Sequence, residues 1–165
     1  MVIGRAIRFF LVLNIFLFSS FKNFASSNLF YWHNNISVTS FSNIENEILD
    51  LVNAHRKSIG LKPLQLNNTE SSSAAKHSYN MASGKISFGH AGFQKRIKTI
   101  SGQLGFISAS AENVAYGTMN AKEVVNVWLQ SPEHKKNIEG DYMLTGIGIG
   151  KSKKGVIYFT EIFTK

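Results

Sequence analysis

The sequence predicts a mixed helix-and-strand domain of the α+β class. Three observations carry that prediction. Apolar residues recur at helical spacing in three successive stretches between residues 43 and 130, bounded by capping and breaking residues. The C-terminal residues alternate in character on either side of one Gly-containing turn. Hydrophobic residues make up 44% of 165, which supports one packed core and is too little chain for two.

Ser42 followed by Glu45 has the pattern of a capping box. Ile44, Ile48, Leu51, Val52 and Ile59 continue at helical spacing, so a first helix is expected over 43–59, stopping at Gly60. Pro63 keeps 61–66 extended. Asn67 or Asn68 caps a second helix through Ala74, Ala75, Tyr79 and Met81, ending at Gly84. Phe88 to Gly92 reads as a glycine-flanked loop and 93–100 as a short basic helix. Residues 101–118 hold Gly102, Gly105 and Gly117 and read as loop or short strand. Asn120 caps a third helix whose Val124, Val127 and Trp128 share a face. Ser131 and Pro132 start a short helix, with Ser at the N-cap and Pro in the first helical position. Residues 143–150 and 156–163 form a hairpin around a turn at 152–155.

The N-terminus reads as an address. Arg5 and Arg8 precede an apolar run over 9–18, and small residues come after it at Ala25, Ser26 and Ser27. This is the layout of a secretory signal peptide, expected over 1–25. The run falls short of the roughly 20 residues that span a bilayer. Residues 26–42, rich in Ser and Asn, read as a linker, and the domain as 43–165. The expected location is secreted or periplasmic, with no stable membrane anchor after cleavage. Cysteine is absent, which excludes disulfide frameworks, thiolate metal sites and thiol catalysis. An exported chain without cysteine points to a bacterial envelope.

The formal net charge is +8. Arg5, Arg8 and Lys22 lie in the leader; eighteen basic residues less these three leave fifteen against ten acids, a net of +5. The excess is scattered in short runs: Lys95, Arg96 and Lys98; Lys135 and Lys136; Lys151, Lys153 and Lys154. No nucleic-acid motif accompanies them, so no nucleic-acid partner is expected. An anionic envelope surface is a compatible partner.

Of the five histidines, His33 falls in the linker, and His55 and His77 lie inside expected helices as structural or surface residues. His90 stands in the glycine-flanked loop, where backbone freedom serves exposure. His134 occupies the third position of the helix begun by Ser131, where the helix dipole disfavours imidazolium. Glu112 lies among small apolar residues, as an acid pointing inward that needs a partner. His90, Glu112 and His134 are spaced 22 residues apart each time, which is no local metal motif. The GIGIG stretch at 146–150 lacks the dinucleotide pattern and the helix that would come after it; small residues in a packed strand explain it. Ser131 near His134 lacks a nucleophile-elbow context.

These pieces resemble the CAP superfamily (the SCP-like domain) in a bacterial, cysteine-free form. The resemblance rests on LVNAHR at 51–56 with GLKPL at 60–64, AAKHS at 74–78 with Met81, and FGH at 88–90 with Arg96. It continues through AENVAYG at 111–117, VNVW at 125–128, SPEHKKNI at 131–138, Gly146 to Gly148, and YFT at 158–160. It covers 44–163 and implies a three-layer α-β-α sandwich with an exposed cleft, where two His and two acids gather. His90, Glu112 and His134 match three of those positions. The fourth, an acid three residues after the helix Trp, falls on Ser131, and Glu133 stands where bacterial members usually have Gly. Glu133 and Glu161 are the candidates to replace it, and Asn113 and Ser131 are expected to line the cleft with them. Family members include lipid and sterol binders, zinc binders at the His pair, and proposed hydrolases.

The resemblance implies two functions. The first is an extracellular or envelope binding module, its cleft holding a small-molecule, lipid or envelope ligand, or Zn²⁺ on His90 and His134. The second is a hydrolase, a peptidase or esterase, with His90, Glu112 and His134 as the catalytic candidates. A third, plainer reading makes the three residues a buried hydrogen-bonded network without a ligand.

Overall fold

The strand nearest the chain's end sits inside the sheet, and the rest of the architecture is arranged around it. A computed structural model describes residues 41–165. The elements are α1 (residues 41–58), β1 (Gln65–Leu66), α2 (Asn68–Ala82), α3 (Phe93–Leu104), β2 (Ser110–Gly117), α4 (Ala121–Gln130), α5 (Pro132–Ile138), β3 (Leu144–Lys151) and β4 (Ile157–Thr164). The sheet order is β1-β3-β4-β2, with β1 parallel to β3 and the other pairs antiparallel. The expected signal peptide and nearly all of the linker lie outside the described residues.

Strand alternation splits the core into two layers. Ala111, Ala115, Ile147, Ile149, Phe159 and Phe163 face one way, toward Ile48 and Val52 of α1 and the α4 residues Val124, Val125 and Trp128. The other face packs α2 and α3 through Ala74, Ile100 and Ile162. The result is the expected three-layer α-β-α sandwich.

Glycines let α2 lie directly on β3. A Cβ at Gly148 would stand 1.9 Å from the Ala75 backbone nitrogen, and one at Gly146 would stand 2.2 Å from Glu70. Both are the small packed-strand residues expected from the GIGIG stretch. Ser78 locks the approach by donating to Gly148 O at 2.8 Å.

Several local expectations shift. The first helix is already running at Phe41, so Ser42 lies within it and is not its cap. The basic helix continues to Leu104, and the glycine-containing stretch beyond it holds an eight-residue strand. Val127 is 44% exposed; Ala121, Val124, Val125 and Trp128 form the buried face of α4. Asn67 caps α2, Asn120 and Glu123 close a full capping box, and Pro132 opens α5.

Two polar residues of α1, half-buried Asn53 and buried Arg56, fix more distant segments of the chain. Asn53 donates to Leu64 O at 3.0 Å and accepts from Leu64 N at 2.7 Å. Arg56 donates to Lys62 O, Ile138 O and Gly140 O at 2.9, 2.6 and 2.9 Å, tying the C-terminal end of α5 to α1. The helix that carries His134 is thereby anchored from below.

Candidate functional site

The outer strand β2 carries the centre of the site. Its residues 112, 114 and 116 face α2 and α3, and its residues 111, 113 and 115 face the opposite layer. Glu112 is almost completely buried, with a side chain 1% exposed. A buried carboxylate needs compensation, and α3 supplies it. Arg96 donates from Nε to Oε2 at 2.9 Å and from Nη2 to Oε1 at 2.7 Å, a two-pronged grip. His90 Nδ1 lies 2.9 Å from Oε1. His77 of α2 stands behind, its Nε2 3.9 Å from Oε1 and 2.8 Å from Gly89 O. Gly89 and Gly92 hold φ of 135° and 78°, which lets the loop bring His90 back over Glu112.

The hydrogen bonding sets the tautomer of His90. An ionised carboxylate has no proton to give, so Nδ1 carries the hydrogen and donates to Glu112. In neutral His90 the Nε2 lone pair is then unprotonated, on a side chain 51% exposed. His77 is held below the usual histidine range, first by burial and then by the Arg96 charge.

The other wall is α5. Asn113 donates from Nδ2 to His134 O at 3.1 Å, and Asn137 donates from Nδ2 to Asn113 Oδ1 at 2.8 Å and to Glu112 O at 3.3 Å. These bonds seat α5 on β2 and satisfy an edge carbonyl. His134 is held below the usual range by burial first and by His90 second, with Glu133 opposing. Its Nδ1 is buried with no hydrogen-bond partner. Burial and the neighbouring His90 thus both favour the neutral form of His134.

His90, Glu112 and His134 are thus brought together, while Asn113, fully buried on the opposite face of β2, seats α5 from behind instead of lining the cleft. Ser131 sits at the junction of α4 and α5 as N-cap but makes no side-chain capping bond. Glu133 is exposed on the first turn of α5, where its charge reaches His134. Glu161 does not join them. It is fully buried on the face opposite Glu112, and burial pushes its carboxyl up to about 8. Thr145 donates its one hydroxyl proton to Ile162 O at 2.9 Å and lies 3.3 Å from Glu161 Oε1, an arrangement suited to a protonated acid.

The donors do not fit a three-ligand metal centre on His90, Glu112 and His134. Both oxygens of Glu112 are engaged by Arg96, and His90 already uses Nδ1. Two imidazoles remain, fewer than the three protein ligands of a catalytic zinc site. Among the described residues no group of three His, Cys, Asp or Glu is arranged to hold a metal ion.

Two members of the site carry no chemical signal of their own in the sequence. Arg96 stands out only through its place after FGH, and His77 reads as a structural residue. The signal that could have found Arg96 is the buried acid itself, which demands a cation. A third feature lies beside His90: Phe88, Tyr116 and Tyr158 form an aromatic row, with ring centroids 4.6 and 5.5 Å apart.

The family model described as "CAP: Cysteine-rich secretory protein family" matches residues 49–163. The chain belongs to the CAP family. Its CAP domain lacks the cysteines of the family's name. The chain is 33% identical over 134 residues to the Bacillus subtilis uncharacterized protein YkwD, covering 77% of this chain and 49% of that one. It is 31% identical over 126 residues to the B. subtilis uncharacterized membrane protein YlbC, covering 73% and 34%. The chain thus spans half or less of these relatives' lengths. Among solved structures, an outer surface protein from Borrelia burgdorferi superposes with a TM-score of 0.62 at 23% identity, covering 72% of this chain and 89% of that one. An extracellular SCP-domain protein from Bacillus anthracis gives 0.63 at 21%, covering 76% and 41%. A cysteine-rich secretory protein from Staphylococcus aureus gives 0.59 at 20%, covering 75% and 38%. These likenesses support the same sandwich. Among the described residues no helix is long and apolar enough to cross a membrane.

Proposed function

We propose that this CAP domain works outside the cytoplasm as a binding module, with the exposed edge of His90 as its recognition point. The observation that carries the reading is the state of Glu112. Its charge is neutralised by Arg96 and its Oε1 orients His90, so it acts as a positioning group. A carboxylate so engaged is a poor general base. What faces solvent is the Nε2 edge of His90, with His134 near it and the aromatic row of Phe88 and Tyr116 beside it. Such a surface suits a ligand with a polar donor and an apolar body. The extracellular and outer-surface structural neighbours support the location.

One observation favours a second reading. A carboxylate-held imidazole with a free Nε2 is also the geometry of a general base, which would activate water in a hydrolase. The experiment separates the two. The wild-type chain and a His90→Ala variant are presented with immobilised envelope lipid and glycan fractions, and both are assayed with p-nitrophenyl acetate and casein. Retention of a fraction by wild type and its loss in His90→Ala, with no hydrolysis, is the expected result. Turnover that vanishes in His90→Ala would move the assignment to a hydrolase. Calorimetric zinc titration is expected to show binding weaker than about micromolar, because two imidazoles are left to coordinate.

A further inference from the structure

We infer that the groove between α2 and α3 is a second binding site, and that its ligand is an acidic glycan segment. The two helices touch through only a few side chains, with Ala74 and Ile100 at the contact. Beside that contact lie two hollows of about 390 and 450 Å³, which share Ser73, Lys76 and Thr99 and so form one continuous groove. Each is of the size that takes a small ligand.

The lining selects the ligand class. No Asp or Glu lines either hollow. Lys76 and Lys95 both line the smaller one, both are exposed, and neither has a carboxylate partner among the described residues. Arg96 also lines it, but its charge is spent on Glu112. The groove therefore carries two uncompensated cations, which calls for an anion. Apart from the buried His77, whose Nε2 is engaged by Gly89 O, the remaining polar lining is hydroxyl and amide, with Thr69, Ser72 and Gln103 at one end and Asn80 at the other. These groups match sugar hydroxyls, and the Ile86 and Ile100 side chains offer an apolar floor for the C–H face of a sugar ring.

The same lining argues against other polyanions. No Phe, Tyr or Trp lines the groove, so a nucleic-acid base has no stacking platform there. Two isoleucines give too little apolar surface to take an acyl chain. The groove adjoins the His90 loop, since His77, Ala91, Gly92 and Arg96 border both, but its two uncompensated lysines take no part in the His90–Glu112 arrangement and do not depend on the function proposed for it.

The test is titration of the full chain with four probes at low salt: hexagalacturonate, uncharged maltohexaose, hexaglutamate, and phosphatidylglycerol vesicles. The variant pair Lys76→Glu/Lys95→Glu is compared with Lys57→Glu/Lys122→Glu, exposed lysines on α1 and α4. Thermal melts of both pairs check that they fold, and Lys76→Gln/Lys95→Gln is used if the reversal does not. Hexagalacturonate should bind most tightly, and the groove pair should weaken it by about tenfold or more while the control pair leaves it in place. Equal losses in the two pairs would mean diffuse charge attraction and overturn the site. Hexaglutamate binding as tightly as hexagalacturonate, or binding to vesicles alone, would overturn the glycan assignment.

Discussion

Replacing Gly148 by Ala tests the close approach on which the site's geometry depends. The new Cβ would lie 1.9 Å from Ala75 N and 2.4 Å from Ala74 C, where ordinary contact begins at 3.4 Å. The obstacle is backbone, so no side chain can swing aside. Helix α2 would have to retreat by about 1.5 Å, and overpacking on that scale falls at the top of the usual range, about 3 kcal/mol. For a domain of this size that lowers Tm by roughly 12 °C. Because α2 also carries His77, its retreat would pull Nε2 from Gly89 O and loosen the loop that presents His90. Urea denaturation followed by circular dichroism gives the stability, and histidine side-chain NMR signals report the loop. Gly102→Ala is the control. That glycine lies inside α3 with nothing within 4 Å of its Cβ position, so Ala should stabilise by about 1 kcal/mol. A Gly148→Ala protein within about 1 kcal/mol of wild type would refute the argument that backbone contact holds α2 to the sheet.

Arg96→Ala should cost about 3 kcal/mol by urea denaturation, since it strips a buried carboxylate of its paired cation, and Arg96→Lys should recover only part, because an ammonium cannot reproduce the two-pronged grip. Stability should fall as pH rises from about 6.5 to 8.5 in thermal melts: burial raises Glu161 to about 8 and Glu70 and Glu45 to about 7, so the folded state keeps protons that the unfolded chain releases. His77 and His134, shifted downward, act in the opposite sense only below their ordinary value of 6.5, so Glu161→Gln should flatten the alkaline loss. Asn120→Ala should cost about 1 kcal/mol, while Ser131→Ala should be nearly neutral despite the shared N-cap position, because only Asn120 makes the capping bond.

Local signals in the sequence are legible where the physics is local. Asn67 and Asn120 mark helix starts through bonds made within three residues, Pro132 marks one through its fixed φ, and the hairpin is marked by its turn. Ser42 with Glu45 misleads because a capping pattern can sit inside a helix whose start lies upstream. Val127 misleads because its spacing from Val124 and Trp128 fits a helical face, while packing selects Ala121 and Val125 beside them. The site is legible only through the family resemblance. His90, Glu112 and His134 meet because a loop, a strand and a helix converge, and no spacing rule encodes that. Arg96 is harder still: burial of Glu112 demands a cation, but tertiary packing alone chooses which of several basic residues supplies it. Glu161 looks like a spare acid for the cleft until strand parity puts it on the opposite face.

The order of the sheet has a consequence for timing. The ladder partner of β2 is β4, which begins about forty residues after β2 ends. While a ribosome is still making the intervening chain, Glu112 has no sheet to stand on, and His77 and Arg96 have no fixed carboxylate to meet. The recognition surface therefore cannot assemble until β4 has been made. A chain cut short before residue 157 would carry His77, His90, Arg96, Glu112 and His134 and assemble none of the site.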